Sequence, residues 1–159
     1  LKKPRHPHLV MMLEKVYIDG TGMMDSIYNQ KVMLNDEIYF SQKDVRELQL
    51  AKSAVRTAID ILISEYGCQY QDIQHVYLSG GFGSNVSIEN LVKVGIFPVQ
   101  LRDKIVVKGN TSLAGAVKYG LTSNRKQDMS QILQSMQLVN LAKVKEFNRL
   151  YADNILFNG

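Results

Sequence analysis

The sequence predicts an α/β fold, a mixed sheet with flanking helices that includes parallel strands. Three observations carry this. An amphipathic helical pattern runs from about Gln42 to Tyr66. Two short apolar runs, His75–Ser79 and Lys104–Lys108, each end in a glycine-containing turn. Helical patterns separate and follow those runs. The order helix–strand–helix–strand–helix between 42 and 120 is the alternation of a parallel α/β layer.

The elements follow in chain order. Leu1-Lys-Lys-Pro-Arg-His-Pro-His8 reads as a solvated lead-in, and the lead-in is taken to residue 15, with the domain over 16–159. Val16-Tyr-Ile18 is expected as a strand, and Gly20-Thr-Gly22 opens a short helix. Val32–Phe40 is a hairpin turning at Asn35-Asp36. In the long helix, Val45, Leu48, Ala51, Val55, Ala58/Ile59 and Leu62/Ile63 recur at three- and four-residue steps and share one face. Ser41 and Asp44 form a capping box with Asp in place of Glu, and Gly67 supplies the stop. The opposite face carries Arg46, Lys52, Arg56 and Asp60. After the first apolar strand, Ser87 caps a short helix to Val94, ended by Gly95 and Pro98. After the second strand, a helix runs from Thr111 to about Tyr119, with Leu113, Ala114, Ala116 and Val117 as its apolar members. A polar link, Thr122–Lys126, leads to a helix around Met129–Gln134. Leu138-Val-Asn-Leu141 is expected as a strand. Lys143–Ile155 is expected as an amphipathic helix using Val144, Phe147, Leu150, Tyr151 and Ile155.

Composition removes several function classes. At 159 residues, 45% hydrophobic and 21% charged, the chain is long enough and apolar enough for one core without disulfides. No apolar run approaches the ~18 residues of a membrane span. The single cysteine, Cys68, excludes a disulfide and a Cys-based zinc or iron–sulfur site within the chain, and a cytoplasmic location is expected. The net charge of +4 comes without a basic stripe interleaved with aromatics, so no nucleic-acid partner is expected. His6 and His8 lie in the lead-in and His75 begins a strand. No histidine is placed beside a nucleophile, so no catalytic residue is assigned. Asp19 and Asp25 read as turn and cap residues before they read as metal ligands, and no metal site is assigned.

The glycine clusters carry the chemistry. Ser79-Gly-Gly-Phe-Gly-Ser-Asn85 and Gly109-Asn-Thr-Ser112 each lie between a strand and a helix. Glycine lets backbone approach a ligand closely, and N–H groups at such turns and helix starts attract phosphate. Both lie at the C-terminal ends of strands, the edge where open α/β sheets bind ligands. Each alone is equally a tight turn; together they favour a nucleotide. Gly81-Phe-Gly83 followed by Val86 departs from G-x-G-x-x-G, and Asp103 precedes its strand rather than ending it. No G-K-[ST] occurs. Dinucleotide and P-loop modes are both disfavoured.

Gln42-Lys-Asp-Val-Arg-Glu-Leu-Gln-Leu-Ala-Lys-Ser-Ala54, Val76-Tyr-Leu-Ser-Gly-Gly-Phe-Gly83 and Gly109-Asn-Thr-Ser-Leu-Ala-Gly-Ala116 occur in this order. Together they resemble the C-terminal domain of the reductive activators of corrinoid proteins. These are ferredoxin-like iron–sulfur proteins with an ATP-binding domain of the actin, sugar-kinase and heat-shock-protein superfamily. The resemblance covers roughly residues 17 to 157. It implies that the chain is one ribonuclease-H-like half of such an ATPase domain. It implies nucleotide contacts at Ser79, Gly80, Gly81, Phe82 and Gly83. It also implies an adenine and ribose pocket lined by Gln49, Lys52, Ser53 and Arg56, a polar face whose other reading is solvation. Gly20, Gly22, Asp25, Gly109 and Asn110 are implied hinge or cleft residues.

The upstream Asp-x-Gly-Thr phosphate loops and the cluster cysteines of that family are missing, and the chain begins with Leu. The expectation is a fragment of an ATP-dependent activator that contributes the adenosine side of the site and is not active alone. Mg²⁺ and the iron–sulfur cluster would belong to the full-length parent. The expected partners are a corrinoid protein and a second copy in a homodimer, with no nucleic acid and no membrane. The alternative is a non-catalytic dimerisation or docking module that binds a corrinoid protein without nucleotide.

Overall fold

A long helix, packed at one side by a small parallel sheet and at the other by the C-terminal segment, organises the computed structural model. The structure describes residues 31–81 and 86–157. The expected strand Val16–Ile18 and helix start Gly20–Gly22, with Asp25, Phe82 and Gly83, lie outside the described residues.

Strands β1 (Lys31–Met33) and β2 (Tyr39–Ser41) pair antiparallel, with Val32 opposite Phe40. The turn is held by Asn35, whose Oδ1 accepts from the N–H groups of Glu37 (2.9 Å) and Ile38 (2.7 Å). That is the local bonding that suits Asn to turns. Helix α1 spans Gln42–Tyr66, the range the periodicity predicts. Its start is the expected capping box: the Asp44 N–H donates to Ser41 Oγ (3.3 Å), and Asp44 Oδ2 accepts from the Ser41 N–H (2.8 Å). The Ser41 hydroxyl, which donates to Asp44 Oδ2 (2.6 Å), and then the Ser41 N–H hold the Asp44 carboxyl below its ordinary value. Its end is Gly67 at φ 72°, with the Cys68 N–H reaching back to Ile63 O (3.2 Å). Only glycine takes that left-handed geometry cheaply.

Strand β3 (Val76–Leu78), helix α2 (Ile88–Lys93, capped by Ser87) and strand β4 (Ile105–Val107) form a crossover unit. β3 and β4 are parallel, with Tyr77 opposite Val106. A 3₁₀ segment, Val99–Lys104, fills the link before β4. Leu91, Phe97 and Ile105 form a buried cluster against Ile59 of α1 and Val76 and Leu78 of β3. Lys104 Nζ donates to the carbonyls of Tyr70 and Gln71, both at 2.8 Å, and so ties the α1–β3 link to the start of β4. The chain continues as α3 (Thr111–Leu121), α4 (Arg125–Ser135), a 3₁₀ turn at Leu141–Lys143 and α5 (Phe147–Asp153). No helix among the described residues is long and apolar enough to cross a membrane.

Four expectations are corrected. Leu138–Leu141 does not form a strand; Leu138 is 96% exposed. A strand exists only where a neighbouring strand satisfies its backbone, and among the described residues none pairs with it. The Lys143–Ile155 helix shrinks to α5, because Val144 is extended (φ −74°, ψ 126°) and stops propagation. The buried face of α1 is rotated from the apolar stripe. Val45 and Ile61 are inside, but so are Lys52, Ser53 and Thr57, while Val55 is 44% exposed and Leu62 is also exposed. α5 lies on the polar side of α1, and its bonding needs decide which side is covered. The Met129–Gln134 helix also begins earlier, at Arg125, since its first turn is polar and reads as linker in the sequence.

Ser41→Ala removes one cap acceptor and the donor to Asp44. It is expected to lower stability by about 1 kcal/mol, read as a lower denaturant midpoint with an unchanged slope.

Candidate functional site

Two groups of the residues singled out by sequence are drawn together. The first is a crevice of glycines. Because β3 and β4 are parallel, both leave the sheet at the same edge. The ladder continues past the strands: the Lys108 N–H donates to Leu78 O (2.8 Å), and the Gly80 N–H donates to Gly109 O (3.2 Å). The two glycine turns are therefore directly bonded neighbours. Gly80 sits at φ 86°, which a side chain would strain. At Gly80, Gly81 and Gly109 nothing among the described residues lies within 4 Å of the position a Cβ would take. That open backbone fits the close approach of a phosphate or sugar. Ser79 is exposed at the rim. Asn110 caps α3 by accepting from the Leu113 N–H (2.9 Å). The first N–H groups of that eleven-residue helix thus open at the same edge.

Sequence reasoning missed two residues here. Lys108 holds its ammonium 5.4 Å from the centre of the exposed Tyr77 ring, a cation–π contact beside the mouth of the crevice. The signal was a lysine closing the strand directly before Gly109.

The second group lies on α1. Lys52 is 3% exposed. Its ammonium donates to the carbonyl of Asn154 (2.8 Å) and to that of Leu156, and lies 5.2 Å from the Phe157 ring centre. Its stem abuts Gly95, where an added Cβ would meet Lys52 Cε at 3.0 Å. The Ser53 hydroxyl donates to the carbonyl of Tyr151. Asn154 Nδ2 donates to Thr57 Oγ1 (3.1 Å) and Asp60 Oδ2 (3.2 Å). Arg56 Nε pairs with Asp60 Oδ1 at 2.9 Å, and the Tyr70 hydroxyl donates to the same oxygen. These donors meet carbonyls at the end of α5, which a helix end leaves without intrahelical partners. The cation also suits the negative end of the helix dipole.

The polar face expected as either a solvated surface or a nucleotide pocket is thus a hydrogen-bonded seam to α5. Gln49 is half-buried one turn earlier. The missed partners are Asn154, Tyr151 and Leu156. Their only sequence signal is the pair of small polar residues Ser53 and Thr57, four apart beside Lys52, a pattern that allows close helix approach.

Burial, and then the Arg56 charge, push Lys52 down to about 8. Burial, and then the Asp60 bond and charge, push Tyr70 up to about 12.

A family model described as the C-terminal domain of RACo, the ASKHA domain, matches residues 11–159. A [Co(II) methylated amine-specific corrinoid protein] reductase of Methanosarcina barkeri is 33% identical over 155 residues, 87% of this chain and 28% of that protein. The corrinoid activation enzyme RamQ of Eubacterium limosum is 29% identical over 121 residues, 76% of this chain and 20% of that protein. A solved structure of a reductive activator for corrinoid, iron–sulfur protein superposes with a TM-score of 0.64 at 24% identity, over 72% of this chain and 18% of that one. The chain thus spans between a fifth and three-tenths of the length of the curated relatives it matches.

The two shifted groups give opposite pH effects. The unfolded chain keeps the Lys52 proton to its ordinary value of 10.5, the folded chain only to about 8. Unfolding therefore takes up a proton between those values, and stability attributable to Lys52 rises with pH across that window. Tyr70 keeps its proton to about 12 when folded against 10.0 when unfolded, so its contribution is complete below 10 and lost towards 12. Denaturant titrations from pH 7 to 10 are expected to show wild type gaining on Lys52→Met. At pH 7 the variant is expected to be less stable by about 1–3 kcal/mol, because two carbonyls lose their donor.

Proposed function

The chain belongs to the family of the C-terminal domain of RACo, the ASKHA domain, and from that premise we propose that it is the adenosine side of the ATP site of a corrinoid-protein activator. Residues 16–159 are the C-terminal part of the ATP-binding domain, a ribonuclease-H-like half, and 1–15 are its lead-in. The observation that carries the reading is the bond from the Gly80 N–H to Gly109 O, which makes one crevice of two glycine turns at one sheet edge. Open space before Gly81 and Gly109 supports it. Ser79, Gly80 and Gly81 contact the nucleotide's phosphate–sugar side. Phe82 and Gly83 extend that contact on sequence grounds. Gly109 and Asn110 form the opposite lip, where α3 begins.

Gln49 and Arg56 stand at the pocket's margin. Lys52 and Ser53 act by fixing α1 through α5 rather than by touching the ligand, since their donors are already engaged. Gly20, Gly22 and Asp25 remain assigned to the cleft by resemblance.

In the parent protein, nucleotide binding and hydrolysis drive one-electron reduction of an inactive cobalt(II) corrinoid carried by a partner corrinoid protein. The conformational change linked to nucleotide supplies the differential binding that such a shift requires. Mg²⁺ and the iron–sulfur cluster are contributed by parts of the parent outside these residues, and the chain alone does not hydrolyse ATP. The names of the relatives, a corrinoid-protein reductase and a corrinoid activation enzyme, support this placement. The lone cysteine supports a cytoplasmic location.

A second reading is favoured by the helices α3 and α4, none of whose residues is buried. In it the chain is a dimerisation or docking module that self-associates and binds the corrinoid protein without nucleotide.

Calorimetry with ATP and ADP separates the two. The chain is expected to bind nucleotide without turning it over, and Gly81→Val to weaken binding at least tenfold, about 1.4 kcal/mol. Gly81 has no left-handed φ and open space at its Cβ, so the substitution blocks ligand approach without straining the fold. No heat at millimolar nucleotide would favour the module. ATP turnover by the chain alone would contradict its placement as half a site.

A further inference from the structure

Lys52 lies between two elements far apart in the chain. On one side its ammonium donates to the carbonyls of Asn154 (2.8 Å) and Leu156, which seats the C-terminal segment on α1. On the other side its stem passes the turn that closes α2. There the Gly95 N–H donates to Val92 O and the Ile96 N–H to Leu91 O, both at 2.9 Å, with Gly95 at φ 84°. A Cβ at Gly95 would meet Lys52 Cε at 3.0 Å and Nζ at 3.5 Å, so the missing side chain is what lets the lysine through.

Behind that turn stands the core that carries the two strands. Val92 and Ile96, on either side of Gly95, pack on the cluster of Leu91, Phe97 and Ile105, as do Val76 and Leu78 of β3. Leu78 O accepts from the Lys108 N–H, and two residues later the Gly80 N–H reaches Gly109 O. Lys52, the Gly95 turn, the cluster, Leu78 and Gly80 are therefore one contiguous run of packed groups. Interiors this dense pass a displacement on rather than absorb it.

We propose that Lys52 is a positioning residue for the nucleotide crevice: with the C-terminal segment docked, it clamps the Gly95 turn and so holds the two glycine turns in the register that takes the ligand. The role rests on the nucleotide reading above. The clamp has two states because the ammonium is a charge. Lys52 is 3% exposed, and its acceptors are neutral carbonyls. A buried ammonium stripped of acceptors is too costly to persist. When the segment leaves α1, the flexible stem carries the charge into water and off Gly95. Undocking of the segment and release of the turn are then one event. Chain ends are where local opening of this kind costs least. Linkage makes the coupling reciprocal: a nucleotide that prefers the clamped state also favours the docked segment.

Calorimetry and amide exchange on the 159-residue chain test it together. Saturating ATP is expected to slow exchange at the Asn154 and Ile155 amides by about fivefold or more. Lys52→Met keeps the stem and removes the donors. It is expected to weaken ATP binding about tenfold and to abolish that slowing. Thr57→Val removes the acceptor of Asn154 Nδ2, loosening the same seam while leaving the Gly95 contact in place. It is expected to bind ATP within about threefold of wild type. Equal weakening by both variants would mark a general loosening and overturn the positioning role. ATP binding by wild type with unchanged exchange at Asn154 and Ile155 would overturn it as well. That measurement needs no variant, so it decides the matter even where Lys52→Met fails to fold. Absence of ATP binding by wild type would overturn the nucleotide reading and this role with it, a result distinct from binding without coupling.

Discussion

The buried ammonium of Lys52 is the contact on which the arrangement of this chain turns. It holds the carbonyls of Asn154 and Leu156 and presses its stem on Gly95. It thereby joins α1 to the C-terminal segment and to the turn after α2 at one point. A lysine so enclosed is costly unless every proton finds an acceptor. Here the acceptors are neutral carbonyls at a helix end, with the Phe157 ring beside them, rather than a carboxylate. Desolvation is therefore only partly offset, which is why the group titrates low. Ser53, Thr57 and Asp60 extend the same bonding along α1, and no buried side-chain polar atom among the described residues is left without a partner.

This seam fixes where the rest can go. With its polar side spent on α5, α1 offers Ile59 to the β3–β4 sheet and leaves Val55 and Leu62 exposed. Among the described residues the sheet in turn has two strands, one face, with Ile105, against Leu91 and Phe97, and Tyr77 on the other face in solvent. Parallel sheets are usually covered on both faces. Among the described residues one sheet face, a stripe on α1 and the helices α3 and α4 stay uncovered, and the chain matches a small share of each relative's length.

The crevice depends on the same geometry at one remove. Parallel pairing of β3 with β4 puts Gly80 and Gly109 side by side, and the packing of Ile59, Val76 and Leu78 keeps that register over the core. The glycines supply open backbone, while α3 supplies a helix start capped by Asn110. Neither needs a special side chain, which explains why the crevice reads in sequence as glycine and little else.

What the sequence by itself determined lies within short chain separations. The Ser41–Asp44 box, the Gly67 stop, the Asn35 turn and the Ser87 cap each bond residues two to five apart, so residue identity and spacing suffice. The glycine turns were legible for the same reason, and their adjacency followed from the crossover pattern. Only the tertiary structure decided which face of α1 is covered, that Leu138–Leu141 finds no strand partner among the described residues, and what Lys52 and Ser53 do. Their partners lie 98 to 104 residues away. At that separation a polar helix face carries no mark of whether water, a ligand or another helix will satisfy it. The choice is made when the unpaired carbonyls at the end of α5 arrive and those donors fill them.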